Sequence, residues 1–187
     1  MILGHLGLAL GARAVDREAP LAWLVAASVA PDVLDIGLAA GGVCNAAGVY
    51  THSLLAIAAT SAVLGVAAAW QTRSGRTALV VAALVVSHLL ADYLTGLKAL
   101  WIGGPIVGLE LYRWPWADFA IEAPIIAGGW WAARRWGNLP RWLNARLAVV
   151  LLLAGQLAAD AVQKPDAIRR PAACAKSDLI KRAGRLL

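Results

Sequence analysis

Between Leu54 and Trp70 this chain carries no charged residue, and between Thr77 and Ala91 its one ionisable side chain is His88. A helix needs about 20 mostly apolar residues to cross the hydrocarbon of a bilayer. Inside lipid every backbone polar group must be bonded within the protein, so segments of this kind are helices. Thr51–Trp70, Thr77–Lys98 and Phe119–Ala133 read as membrane-embedded helices. Leu147–Val162 is a shorter fourth and carries Gln156 and Asp160. Ile2–Ala12 is too short to cross unaided. Leu21–Ala40 is long enough, but Pro31 is expected to break or kink it. The expectation is an all-α, polytopic helical membrane protein with four to six membrane-embedded helices, the first two short or broken.

Composition agrees. Sixty per cent of the residues are hydrophobic and only 15% are charged, against about a quarter charged in a soluble domain. That excludes a disordered chain and argues against an ordinary soluble enzyme. No repeat or linker divides residues 1–163, which read as one transmembrane domain. Residues 164–187 form a basic tail, suited either to an amphipathic helix on an anionic membrane surface or to solvent. Met1–His5 lacks a basic n-region, so no signal peptide is expected. Basic residues fall at helix ends rather than in a recognition motif, so no nucleic-acid partner is expected.

Arginines 13, 17, 73, 76, 134, 135, 141 and 146 fall on one face if the helices alternate, and only Lys98 and Arg113 precede the tail on the other. The positive-inside rule makes the arginine face cytoplasmic. Cys44 and Cys174 are too few for a disulfide framework, and Cys44 is not expected to ligate a metal.

The three histidines, His5, His52 and His88, all lie in or beside apolar segments, as do Asp32, Asp35 and Asp92. Ionisable groups at membrane depth are costly and mark functional interiors. His88 and Asp92 are one helical turn apart, and so are Asp32 and Asp35, so each pair shares a face. Alternation brings all six residues to the non-cytoplasmic half. Three imidazoles and three carboxylates suit a divalent metal, zinc first, with manganese and iron as alternatives. Six ligands suffice for one or two ions sharing a carboxylate. Such an ion would bring bound water toward a nucleophile at neutral pH.

At these residues the sequence resembles the bacterial and archaeal membrane-bound metal-dependent hydrolases, a LexA-regulated inner-membrane group. The matching pieces are Gly4-His5, Ala30-Pro31-Asp32-Val33-Leu34-Asp35, Tyr50-Thr51-His52-Ser53 and Ser87-His88-Leu89-Leu90-Ala91-Asp92-Tyr93-Leu94-Thr95. They span roughly residues 1–100. The resemblance implies a metal-dependent hydrolase of a prokaryotic inner membrane with His5, Asp32, Asp35, His52, His88 and Asp92 at its metal site.

Around these ligands, Thr51, Ser53 and Thr95 are candidates to orient them, with Asp118 in a similar supporting role. Asp32, Asp92 and Glu122 are the candidate proton-transfer groups, and Arg113 is a candidate phosphate contact. The expected activity is hydrolysis of an ester or phosphoester in a lipid or lipid-linked substrate. The absence of His-Glu-x-x-His argues against a peptidase. The alternatives are a metal-ion or proton transporter using the same residues in transit, and a non-enzymatic membrane scaffold in which they hold helices together.

Overall fold

The computed structural model describes residues 3–162 and Cys174. Seven α-helices account for most of them: α1 (Gly4–Val15), α2 (Leu21–Ala40), α3 (Leu54–Thr72), α4 (Gly75–Thr95), α5 (Pro115–Trp136), α6 (Arg141–Asn144) and α7 (Arg146–Val162). The protein is an all-α membrane protein. By length and composition α2, α3 and α4 can each cross a bilayer.

Local chemistry sets the helix ends. Ser53 Oγ accepts from the Ala56 amide at 3.3 Å and starts α3, while Ser74 Oγ accepts from the Thr77 amide at 3.1 Å and starts α4. Such caps satisfy amide donors that have no partner within the helix. Between them Arg73 adopts φ 57°, ψ 25° and closes α3, so α3 and α4 form a tight antiparallel hairpin. Because α3 begins at Leu54 rather than Thr51, His52 sits in the preceding turn, its amide bonded to the Gly48 carbonyl at 2.6 Å. Helix α5 starts at Pro115, four residues earlier than expected, with proline at the first helical position where its missing N–H costs nothing.

The expected break at Pro31 is not found: α2 runs continuously from Leu21 to Ala40 with Pro31 inside it. Proline removes only the donor that would bond the Ala27 carbonyl, and Ala27, Ser28 and Pro31 are all buried, so packing holds the turn in place.

Helix α1 is the centre of the bundle and packs most extensively on α5, then on α2 and α4. Glycines allow that approach. A Cβ on Gly7 would fall 2.6 Å from the Ile125 carbonyl oxygen, and one on Gly129 would run into the Gly7 carbonyl. Leu24, Ile57, Val81, Leu84, Val85 and Leu89 form the main apolar core among α2, α3 and α4. Polarity is otherwise inverted relative to a soluble protein. His88 and Glu122 are 0% exposed, whereas Leu55 and Leu79 are 76% and 74% exposed, as lipid-facing positions are.

One end of the bundle carries Arg13 and Arg76. Arg13 donates to the Asn138 and Ala19 carbonyls and Arg76 to the Val15 carbonyl. Beneath them Asp16 accepts from the Thr77 hydroxyl at 2.7 Å and from the amides of Glu18 and Ala19. Burial pushes the Asp16 carboxyl up, but these donors, with Arg76 nearby, outweigh it and hold the carboxyl below its usual range. The opposite end carries the loops 41–53 and 96–114. The second of these contains an antiparallel pair, Lys98–Ala99 with Ile106–Val107, which sequence reading did not anticipate. In the first, Cys44 forms a disulfide with Cys174. The remainder of the basic tail, including the amphipathic helix considered for it, lies outside the described residues.

Candidate metal centre

Four segments converge beneath those loops. His5 is the second residue of α1, Asp32 lies in the second half of α2, His52 precedes α3, and His88 and Asp92 lie one turn apart on α4. Asp32, His52, His88 and Asp92 each present a nitrogen or oxygen within 4.8 Å of the others. His52 Nε2 lies 3.1 Å from His88 Nε2, 3.3 Å from Asp32 Oδ1 and 3.2 Å from Asp92 Oδ2. His88 Nε2 lies 3.6 Å from each of the same two oxygens. Four donors bound tetrahedrally to one zinc ion at its usual bond lengths stand about 3.3 Å apart. The separations here are 3.1–3.6 Å on five of the six edges.

His5 adds a second position. Its Nε2 lies 3.2 Å from Asp92 Oδ1 and 3.8 Å from Asp32 Oδ2, the carboxylate oxygens that do not face His52 and His88. Asp32 and Asp92 therefore each stand between the two positions. The His5 ring stacks on His88 with centroids 3.7 Å apart.

A frame of further groups fixes the rings. His88 Nδ1 lies 2.7 Å from the Ser28 carbonyl. A carbonyl only accepts, so Nδ1 carries the proton, and in the neutral ring the Nε2 lone pair points into the cluster. His52 Nδ1 lies 2.7 Å from Thr51 Oγ1, which accepts from Asn45 Nδ2 at 2.8 Å. The same Asn45 amide group donates to Asp35 Oδ1 at 2.7 Å, and its oxygen accepts from the Tyr50 amide. Asp35 thus belongs to the frame around the cluster, its oxygen turned toward Asn45 rather than toward the imidazoles.

The other residues singled out from the sequence divide between this end and its surroundings. Thr51 contacts His52, and Ser53 caps α3. Thr95 is buried one turn beyond Asp92, its hydroxyl 3.5 Å from the Ala91 carbonyl. Arg113 is half exposed and pairs with Glu110 at 3.4 Å. Asp118 and Glu122 form a separate buried group with Asp160. Three residues of the centre were missed. Lys98 Nζ lies 2.8 Å from Asp92 Oδ2, Asn45 ties Asp35 to Thr51, and Ser28 orients His88. Only tertiary packing brings them in; nothing in their spacing announces it.

The donor set of neutral imidazoles and carboxylates could hold zinc, manganese or iron. His5, His52, His88 and Asp92 are 0–2% exposed, while the Asp32 side chain is 37% exposed and forms the open side.

The model of the YdjM inner membrane protein family matches residues 1–166. The chain belongs to that family. Membership in the YdjM family and the three apolar helices place it in the inner membrane. No curated protein and no solved structure matches it. The YdjM description names a location and no reaction, so the chemistry must be argued from the centre itself.

Proposed function

We propose that this YdjM-family protein is a membrane metal-dependent hydrolase. Asp32, His52, His88 and Asp92 hold a divalent ion, zinc foremost, and His5 serves a second position that shares the two carboxylates. The observation that carries this reading is that five of the six separations among four donors from three segments fall at 3.1–3.6 Å, close to those of a tetrahedral zinc site. Carboxylates buried this closely need positive charge beside them; Lys98 supplies one at Asp92, and an ion among the four donors would supply the rest. Bound there, the ion supplies a water nucleophile at neutral pH and polarises the bond to be cut.

The chain's own residues do the rest. Asp32, the open carboxylate, handles the proton of the attacking water. Lys98 offers the positive charge at the rim that a phosphoester needs, a role the sequence reading gave to Arg113. A groove of about 620 Å³ between α2 and α3, lined by Val33, Leu34, Ala59 and Val63, is almost wholly apolar. It suits an acyl or isoprenoid chain, which supports a lipid or lipid-linked ester or phosphoester as substrate. Arg13 and Arg76 lie at the other end of the bundle, and cytoplasmic faces are rich in arginine. Disulfides persist in oxidising compartments, and Cys44 lies in the loop over the centre. Both observations favour a centre facing the non-cytoplasmic half.

The test is elemental analysis of the detergent-purified protein beside His88→Ala and Asp92→Asn, followed by hydrolysis assays on phospholipids and polyprenyl phosphates. The expected result is one or two equivalents of zinc, manganese or iron, lost in both folded variants together with lipid hydrolysis. A wild-type protein that takes up no metal at neutral pH would sink the proposal. So would metal that crosses the membrane with no hydrolysis, which is the behaviour of a transporter.

A further inference from the structure

Asp118 and Glu122, one turn apart on α5, meet Asp160 near the end of α7. One oxygen from each lies within 4.8 Å of the others. All three residues are buried: Glu122 is 0%, Asp118 1% and Asp160 2% exposed. The surroundings account for only part of the bonding capacity of Asp118 and Asp160. Glu122 Oε2 accepts from the Gly4 amide at 2.9 Å, and Asp160 Oδ1 accepts from Gln156 Nε2 at 2.6 Å. Among the described residues no N–H or O–H group donates to either oxygen of Asp118 or to Oδ2 of Asp160; the Asp118 and Asp160 carboxyls meet each other. Two buried carboxylates in contact, with no outside donor to Asp118, are strongly disfavoured unless a proton or a cation lies between them.

We propose that Asp118, Glu122 and Asp160 form a second cation site, distinct in chemistry from the imidazole centre, that takes a hard divalent ion. The donors are all carboxylate oxygens, which suit magnesium, calcium or manganese and give none of the preference for zinc that imidazoles bring. The Asp118 and Asp160 oxygens that receive no donor are the ones an ion would engage, while Gly4 and Gln156 hold the group from outside. The site also has a mechanical consequence. Gln156 Oε1 accepts from the Leu3 amide at 2.8 Å, so the same cluster anchors the start of α1 through Leu3 and Gly4. The next residue is His5. An ion here ties α1, α5 and α7 together and sets where His5 stands.

The experiment uses the full-length protein in detergent, stripped of metal, with Mn2+ as the probe and free Mn2+ read by electron paramagnetic resonance. His5→Ala/His52→Ala/His88→Ala removes every imidazole of the first centre, so what remains reports the carboxylate site. Mn2+ binding is expected to persist in that variant, to be displaced by excess Mg2+ or Ca2+, and to weaken about tenfold or more when Asp118→Asn or Asp160→Asn is added. Binding that vanishes with the three histidines, or that ignores both asparagine changes, overturns the proposal. A second measurement needs no added variant to fold. Infrared difference spectra of the wild type should show a buried carboxylic acid band give way to carboxylate as Mn2+ binds. A band that persists at saturating Mn2+ means the three groups are neutralised by protons, and the site is not a cation site. Zinc content of the imidazole centre is read separately, so the two proposals fail or stand independently.

Discussion

His52 Nε2 and His88 Nε2 stand 3.1 Å apart at the centre of the bundle, each ring held from behind at 2.7 Å by an oxygen on its Nδ1. Two ring nitrogens oriented this way repel unless a proton or a metal ion lies between them. In the metal-free protein a His52 Nε2–H donated to His88 Nε2 fills that place, so removing one ring costs a buried hydrogen bond there and abolishes binding in the loaded protein. We expect His88→Ala to unfold modestly below the wild type when both are metal-free, and much further below it when both are supplied with zinc. Thermal unfolding in detergent, with and without zinc, checks this. A variant destabilised equally in both conditions would point to a purely structural histidine.

Asn45 is the residue to change behind the centre. It bonds Asp35, Thr51 and the Tyr50 amide at once, and through Thr51 it sets His52. Groups that orient metal ligands typically contribute 10–100-fold to affinity. Asn45→Ala should weaken zinc binding about tenfold or more without removing any ligand, measured by competition with a chromogenic chelator. Asp35→Asn should have a milder effect, because it alters only one arm of the same network.

Lys98 makes the opposite prediction for metal and substrate. Its ammonium lies 2.8 Å from Asp92 Oδ2 and competes with an ion for that oxygen. Lys98→Met should tighten zinc binding several-fold and reduce turnover of an anionic phosphoester. If both fall together, Lys98 is holding Asp92 in place rather than serving the substrate.

Much of this arrangement was legible in the sequence, and the reasons for what was not are physical. Apolar length announced the helices, and the rarity of ionisable residues inside them singled out His5, Asp32, His52, His88 and Asp92. A histidine within an apolar segment has few bland explanations. Pro31 was read as a break because proline's local cost is legible and the compensating burial of Ala27 and Ser28 is not. Asp35 was grouped with Asp32 by helical spacing, which gives direction but not the neighbour that Asn45 turns out to be. Lys98 and Asp160 needed the third dimension. A lysine after a helix end and an aspartate late in a weak apolar segment carry no signal until α1, α4, α5 and α7 are brought together.

Gly7 tests the packing that positions His5. A Cβ there would fall 2.6 Å from the Ile125 carbonyl oxygen, a backbone atom that cannot rotate away. Gly7→Ala should cost about 1–3 kcal/mol through overpacking. Because His5 lies two residues earlier on the same helix, it should also loosen any metal that depends on His5 more than metal held by His52 and His88. Metal stoichiometry that falls from two toward one is the expected signature if both positions fill.

Asp16 provides a pH test at the far end, away from the metal ligands. Its carboxyl is held below the usual range by Thr77, the Glu18 and Ala19 amides and Arg76, against the cost of burial. A group with a lowered folded-state pKa contributes stability that is fully present above its unfolded value of about 3.9, and this contribution is lost as pH falls through the folded value. Asp16→Asn should therefore lower the unfolding temperature near neutral pH, by an amount equivalent to about 1–3 kcal/mol for lost charge-assisted hydrogen bonds. The gap between variant and wild type should stay constant from pH 7 to about pH 5 and close at lower pH as the wild-type carboxyl protonates. A gap that persists unchanged into acid would mean that Asp16 works through the shape of the 16–19 turn and not through its charge.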